Sequence, residues 1–208
     1  MTQGALMQPV AGGRRSYAAV KRALDVVIAS LGLAFSLPLW ALIALAVVLN
    51  DGRPVFYPQR RVGMGGKPFT VAKFRSMIRD AEKRTGAVLA EEDDPRITRI
   101  GRLLRKTAMD ELPQVWNVLR GDMSFVGPRP ERPEFVSEFV KKVPGYDLRH
   151  QVRPGLTGMA QVYGRYDSKA EEKLVYDLLY IRRSSLLTDV MLFFKSWGNT
   201  LLGRWGAG

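Results

Sequence analysis

The stretch TAMDELPQVWNVLRGDMSFVGPRP, residues 107–130, sets two neighbouring carboxylates, Asp110 and Glu111, ahead of an apolar-periodic run and ends on Arg129 between Pro128 and Pro130. A carboxylate can act as a nucleophile, and a second one beside it can hold a divalent metal through oxygen. Gly127, Pro128 and Pro130 stiffen the backbone around Arg129, whose planar guanidinium suits bidentate contact with phosphate oxygens. Arg105, shortly upstream, offers a second anion ligand. Together these are the parts for phosphoryl transfer on a phosphoanhydride, where positioning and charge neutralisation dominate. The pair also has an ordinary reading. Asp110 can cap the helix that runs through Val115, Trp116 and Leu119, with Pro113 in its first turn and Glu111 favoured there by the helix dipole. Such a cap would keep Asp110 ionised, and local sequence leaves cap and nucleophile side by side.

The rest of the chain must position these groups. Its 208 residues, 46% of them hydrophobic, suffice for one ordinary domain with a sizeable core. The formal net charge of +12 implies an anionic partner: nucleic acid, an acidic membrane surface or a phosphorylated substrate. With no cysteine and a single histidine, His150, a thiol nucleophile, a disulfide scaffold and a zinc site are set aside.

From Val26 to Leu49 there is no ionisable side chain. These 24 residues make a helix of about 36 Å at 1.5 Å per residue, against about 30 Å of bilayer core. A buried core helix is the soluble alternative, although such helices show a polar face. Both flanks are basic, Arg14, Arg15, Lys21 and Arg22 upstream and Arg53, Arg60 and Arg61 downstream, which suits a segment that enters and leaves by one face. Pro38 lacks an N–H and clashes with the carbonyl of Ala34, so it bends the run near its middle, and Ser36 can cover a freed carbonyl at Gly32. The expectation is a re-entrant hairpin bent at Ser36 and Pro38, with a kinked span as its alternative.

Downstream, RPVFYPQRRVGMGGKPFTVAKFRSM reads as a short β-hairpin turning at Gly63, Gly65 and Gly66; VGMGGKP lacks the spacing of a phosphate loop. Ser76 to Asp94 reads as helix followed by an exposed acidic loop. In DPRITRIGRLLRK, Ile97, Ile100, Leu103 and Leu104 recur at helical spacing opposite Arg96, Arg99, Arg102, Arg105 and Lys106, a basic amphipathic helix suited to phospholipid headgroups or to plain solvent. VRPGLTGMAQVYGR reads as a turn-rich loop, a lid over a nucleotide diphosphate or a simple surface loop. A last apolar, aromatic helix runs through Leu186, Phe193, Trp197 and on to Trp205, at the membrane interface or packed on the domain.

The motifs KRALD, KFRSM, DELPQVWNVLRGDMSFVGPRP, RPGLTGMAQVYGR and YDLLYI resemble those of bacterial sugar transferases of the small monotopic phosphoglycosyl transferase type, over nearly all of Lys21 to Trp197. That resemblance implies transfer of a sugar 1-phosphate from a UDP-sugar to polyprenyl phosphate, with release of UMP, at the start of exopolysaccharide, O-antigen or glycoprotein glycan synthesis. It implies Asp110 as nucleophile, Glu111 as the magnesium ligand, Arg129 and Arg105 as phosphate ligands, and supporting roles for Lys73 and Asp177. The family bends its membrane helix at a Ser-Pro pair, whereas here Leu37 separates Ser36 from Pro38.

The expected fold is α+β and mostly helical: a basic tail over 1–19, a re-entrant membrane helix over 20–52, and a catalytic domain over 53–208 on the cytoplasmic face of a bacterial inner membrane, in contact with its phospholipids. Two rivals stand beside this reading. A tethered nucleic-acid-binding protein has the charge but no recognisable reading motif, so no nucleic-acid partner is expected. A glycosyltransferase moving the sugar without its phosphate would release UDP in place of UMP. The sugar and the oligomeric state stay open.

Overall fold

The computed structural model describes residues 14–82, 86, 94–165 and 168–202. It begins with α1, Arg14–Asp51, a single α-helix of 38 residues with Pro38 inside it, about 57 Å long at 1.5 Å per residue. A stripe at helical spacing, Tyr17, Lys21, Asp25, Ala29, Gly32, Leu33, Trp40, Ile43 and Val47, faces the rest of the protein; Leu24, Leu31, Phe35, Leu42 and Leu49 are exposed on the other side. A core helix would hide both faces, so this is a one-sided helix with a bare apolar back. The Ser36 hydroxyl reaches the carbonyl of Leu33 at 3.4 Å rather than that of Gly32; the four-back bond is made by Ser30, to Val26 at 2.8 Å.

The expected hairpin is present as β1, Phe56–Val62, antiparallel to β2, Pro68–Phe74, in register from Phe56 opposite Phe74 to Val62 opposite Pro68. Gly65 and Gly66 carry the turn at φ 68° and 73°, where a Cβ would be strained. Trp40 of α1 meets Phe74 edge-on at 5.7 Å, and Phe56 stacks on Phe74 at 5.2 Å, so the first aromatic cluster ties the hairpin to α1.

The helix expected from Ser76 does not form: Met77 makes an isolated antiparallel bridge with Ile97, and residues 79–82 are turns. The backbone of this segment is engaged across the chain instead, with Thr98 N–H donating to Ser76 at 3.0 Å and Ile78 N–H to Arg96 at 2.9 Å. Gly101 makes the approach possible, since a Cβ there would lie 1.8 Å from the Ser76 oxygen. Most of the acidic loop lies outside the described residues.

The basic amphipathic helix is α2, Arg99–Lys106, capped by Thr98, with Leu104 buried and Leu103 exposed. A 3-10 turn, Met109–Glu111, leads into α3, Gln114–Arg120, and β3, Ser124–Val126. After α4, Pro133–Lys142, and a 3-10 stretch, Tyr146–Gln151, comes β4, Gly155–Thr157, parallel to β3. Three helices finish the fold: α5, Met159–Tyr163; α6, Ala170–Arg183; and α7, Leu186–Leu201. Residues Arg153 to Arg165 are therefore no turn-rich lid: Gly155, Thr157, Gly158 and Met159 are buried in the strand pair and the helix that follows. The end of the aromatic helix at Trp205 lies outside the described residues.

Two main cores result. Ala29 of α1 packs with Val71 of β2, Val115 and Val118 of α3, and Met123; Val126 of β3 packs with Met159, Tyr180, Ile181 and Leu192. Polar contacts join the start of α1 to both. Asp189 of α7 accepts from Tyr17 at 2.8 Å, Lys21 at 2.6 Å and Tyr180 at 2.8 Å, and Asp25 accepts from the Ser124 hydroxyl and the Phe125 amide.

Candidate active site

Asp110 sits in the 3-10 turn between α2 and α3, after Ala108 in the left-handed region at φ 54°. It is not a cap. Pro113 holds the N-terminal position of α3 and no side chain caps that helix. The reason is geometric: the extra turn through Met109–Glu111 sets Asp110 too far upstream of the first α3 amides. The Asp110 carboxylate is buried, 8% exposed, and accepts no hydrogen bond from any described residue. Burial pushes its pKa up to about 6, with Glu111 adding to the rise and Lys73, Arg105 and Arg129 opposing it.

Glu111, its neighbour, lives in the opposite environment. Lys73 of β2 donates to Oε1 at 2.7 Å; Arg129 donates through Nη1 to Oε2 at 3.1 Å and through Nη2 to Oε1. Against the opposing effect of burial, the Arg129 guanidinium and then Lys73 hold this carboxyl far below its ordinary value. The same pairing pushes Arg129 further up. The sequence grouped Asp110, Glu111, Arg129 and Arg105, and the family resemblance added Lys73 and Asp177; of these the fold gathers Lys73, Asp110, Glu111 and Arg129. Arg105, in the last turn of α2, acts on Asp110 through its charge and makes no contact with Glu111 among the described residues.

Asp177 is elsewhere. It is 1% exposed on α6 and accepts from Arg149 Nε at 2.9 Å, with Nη2 of the same ion pair 2.8 Å away. Arg149 in turn donates to the Tyr146 hydroxyl at 2.6 Å and to the carbonyl of Arg129 at 2.8 Å, so Asp177 touches the site only through a second residue. Sequence reasoning missed Arg149: it stands in a 3-10 stretch with no motif around it, and only its burial and three partners single it out. Arg61, read as a membrane flank, is also turned inward, donating to Pro130 at 3.0 Å and to Gln59 at 2.5 Å. Burial and the nearby Arg129 charge lower its pKa to about 10.

Arg129 follows the end of β3 by three residues, just beyond the place where the backbone of Gly127 lies tight against β4. A Cβ on Gly127 would lie 2.4 Å from the Arg153 oxygen, and one on Gly155 2.1 Å from the Gly127 nitrogen. Glycine is required at both places by this approach, which carries Pro128–Arg129–Pro130 directly off a fixed edge.

No cluster of three or more metal-ligating side chains occurs among the described residues. Magnesium needs fewer, since it commonly takes one or two carboxylates, phosphate oxygens and waters. Asp110, with unengaged oxygens, fits that requirement; Glu111 beside it already accepts from Lys73 and Arg129, and Oε2, with a single donor, is the oxygen with room for an ion.

A family model described as bacterial sugar transferase matches residues 16–203. The chain is 42% identical over 190 residues to a UDP-N-acetylgalactosamine-undecaprenyl-phosphate N-acetylgalactosaminephosphotransferase of Aeromonas hydrophila, a match covering 90% of this chain and 45% of that protein. It is 44% identical over 180 residues to a UDP-glucose:undecaprenyl-phosphate glucose-1-phosphate transferase of Escherichia coli (strain K12), covering 84% and 39%. It is 37% identical over 198 residues to the exopolysaccharide production protein ExoY of Sinorhizobium fredii (strain NBRC 101917 / NGR234), covering 88% and 86%. The chain thus spans less than half the length of the first two and most of the third.

Proposed function

This chain belongs to the bacterial sugar transferase family, and from that premise we propose that it moves a sugar 1-phosphate from a UDP-sugar to polyprenyl (undecaprenyl) phosphate, releasing UMP and starting an exopolysaccharide or related glycan. The names of its relatives support the two substrates. The observation that carries the chemistry is Asp110: a buried carboxylate, free of hydrogen bonds among the described residues, beside a glutamate held by Lys73 and Arg129.

In the first step an Asp110 oxygen attacks the phosphorus that bears the sugar. The bond from that phosphorus to the bridging oxygen breaks, and UMP leaves with the electron pair. A carboxylate that shares no proton with a donor keeps its lone pairs for this attack. Arg129 and Lys73, already converged on Glu111, neutralise charge on the transferring group, and Arg105 adds to the field. In the second step an oxygen of polyprenyl phosphate attacks the acyl phosphate and the Asp110 carboxylate is restored. Glu111, with Asp110, would hold magnesium. When bound, the ion supplies charge neutralisation of the diphosphate, which two carboxylates would otherwise repel.

The membrane reading rests on α1. Contacts at both ends of the helix, Tyr17 with Asp189 and Val47 with the Phe74 cluster, go to the same folded body, which supports both ends lying on one side of the bilayer. We read 20–52 as the inserted re-entrant segment bent at Pro38, and 53–208 as the catalytic part on the cytoplasmic face. Exposed Leu103 with the arginines of α2, and exposed Leu187, Phe194 and Trp197 of α7, supply surfaces for phospholipid headgroups and acyl chains.

Labelled UDP-N-acetylgalactosamine and UDP-glucose, each given to purified enzyme without acceptor, test the chemistry. A protein-bound phosphosugar at Asp110 with stoichiometric UMP is expected. Release of UDP in the complete reaction would make the enzyme a sugar-only transferase, and an enzyme that turns over yet traps nothing would be a direct-displacement catalyst.

A further inference from the structure

Prolines 128 and 130 have no N–H, so the loop that carries Arg129 can be held chiefly through its carbonyls. All four carbonyls from Pro128 to Glu131 are taken. Gly155 N–H donates to Pro128 at 3.0 Å, Arg149 Nη2 to Arg129 at 2.8 Å, Arg61 Nη1 to Pro130 at 3.0 Å, and Val62 N–H to Glu131 at 2.9 Å. Two of the four donors are backbone; the two at the centre are arginine side chains, only 4% and 15% exposed.

Arg149 is the more committed of these. Its three nitrogens reach three different groups: the Asp177 carboxylate, the Tyr146 hydroxyl and the Arg129 carbonyl. Its guanidinium carbon also lies 5.0 Å from the centre of the Tyr146 ring. Asp177 neutralises a charge that would be costly to bury alone, and its other oxygen, Oδ1, has no partner among the described residues. Arg149 is therefore the carboxylate's one hydrogen-bonding anchor among the described residues. The chain Asp177 to Arg149 to the Arg129 carbonyl thus joins α6 to the loop whose side chain forks onto Glu111.

We propose that Arg149, with Asp177 as its buried counter-ion, is a positioning residue: it fixes the backbone of Arg129 so that the guanidinium meets Glu111 and the transferring phosphate in one orientation. This rests on the reaction proposed above. A lysine at 149 cannot hold a carboxylate, a hydroxyl and a carbonyl at once in a planar fork, so the loop gains freedom while keeping its charge.

The test is a cycle of Arg149→Lys and Arg129→Lys in the full chain, read as UMP release from UDP-N-acetylgalactosamine and UDP-glucose with undecaprenyl phosphate. Arg149→Lys is expected to lower kcat between about tenfold and a hundredfold, the scale set by small misplacements, with KM for the UDP-sugar little changed. In the Arg129→Lys background it should cost nothing further, because its effect passes through Arg129. Equal losses in both backgrounds, or a wild-type kcat in Arg149→Lys, would overturn the proposal. If Arg149→Lys does not fold, Tyr146→Phe, which removes a single hydroxyl partner, takes its place in the cycle with a several-fold loss expected and the same outcomes decisive. Amide exchange at Val62 and Gly155, which hold the flanking carbonyls, should quicken in the variant. A wild type that releases no UMP tells against the reaction, and the positioning role then stands or falls on that exchange, unchanged rates overturning it.

Discussion

Asp110 and Glu111 are adjacent in the chain, yet Asp110 accepts no hydrogen bond from a described residue while Glu111 accepts from Lys73 at 2.7 Å and from both terminal nitrogens of Arg129. The difference separates their titrations. Glu111 stays charged across the working range, and Asp110 gains its charge only as the pH passes about 6.

The pH–rate profile should show it. Attack requires ionised Asp110, so kcat/KM for the UDP-sugar rises with pH through about 6 and levels above it. Lys73 lowers the Asp110 pKa, so Lys73→Met should move the rising limb to higher pH. A limb that stays in place in that variant would assign it to another group.

Asp110→Asn should abolish turnover and stabilise the fold. The folded-state pKa is raised above the ordinary carboxylate value of 3.8, so stability is greatest below about pH 4, falls as pH rises through about 6, and stays reduced at neutrality. Removing the buried charge at pH 7.5 should return on the order of 2 kcal/mol. Thermal melts of wild type and variant at pH 4 and pH 7.5 check the sign: the gap between them should open at the higher pH.

Magnesium dependence is expected through Glu111. Metal-free enzyme in excess chelator should release no UMP, and added Mg²⁺ should restore the rate. Glu111→Gln should raise the Mg²⁺ concentration needed for half-maximal activity as well as lower the maximum. Full wild-type turnover in chelator would remove the ion from the mechanism.

Topology can be read by labelling, because the chain has no cysteine. Ser16→Cys and Arg53→Cys, both at exposed positions flanking the apolar run, should react with an impermeant reagent from the same side of sealed inverted vesicles. Tyr17 is avoided because its hydroxyl is bound to Asp189. Opposite-side labelling would make α1 a span, and Pro38→Leu is expected to shift the population toward that state.

Asp189→Ala should lower stability by about 2–4 kcal/mol, since it strands Lys21 in a largely buried setting and takes the Tyr17 hydroxyl's carboxylate acceptor, while Tyr180 keeps the Val126 carbonyl. Denaturation in detergent would measure it, and Tyr17→Phe should cost less, about 1 kcal/mol.

Much of this was legible in the residues. β-Branched and aromatic residues on both sides of the glycines marked the hairpin, helical spacing marked α2, an apolar and aromatic run marked α7, and two carboxylates followed by a proline-flanked arginine marked the candidate site, to which the family resemblance added Lys73. What failed depended on long-range partners. Ser76 to Glu82 has helical composition, but its backbone groups bond to residues 96–98, and only the packing at Gly101 reveals that. VRPGLTGMAQ has the glycine and proline of a loop, but those glycines serve a close strand crossing. The net charge of +12 implied an anionic partner, yet Arg22, Arg61, Arg75 and Arg149 point inward and donate to main-chain carbonyls. A charge total does not record direction.

The polar contacts of α1 set an order of events in biosynthesis. The helix leaves the ribosome before the elements it binds, and Arg22 waits 96 residues for Val118, Asp25 waits 99 for Ser124, and Tyr17 waits 172 for Asp189. Loops of that length close slowly, so α1 is made before its partners and completed only after them. Until α7 emerges, Lys21 and Tyr17 lack their acceptor, and a chain cut short before Asp189 would carry an apolar helix whose polar end has nothing to close on. Such products should be the ones that quality-control proteases take.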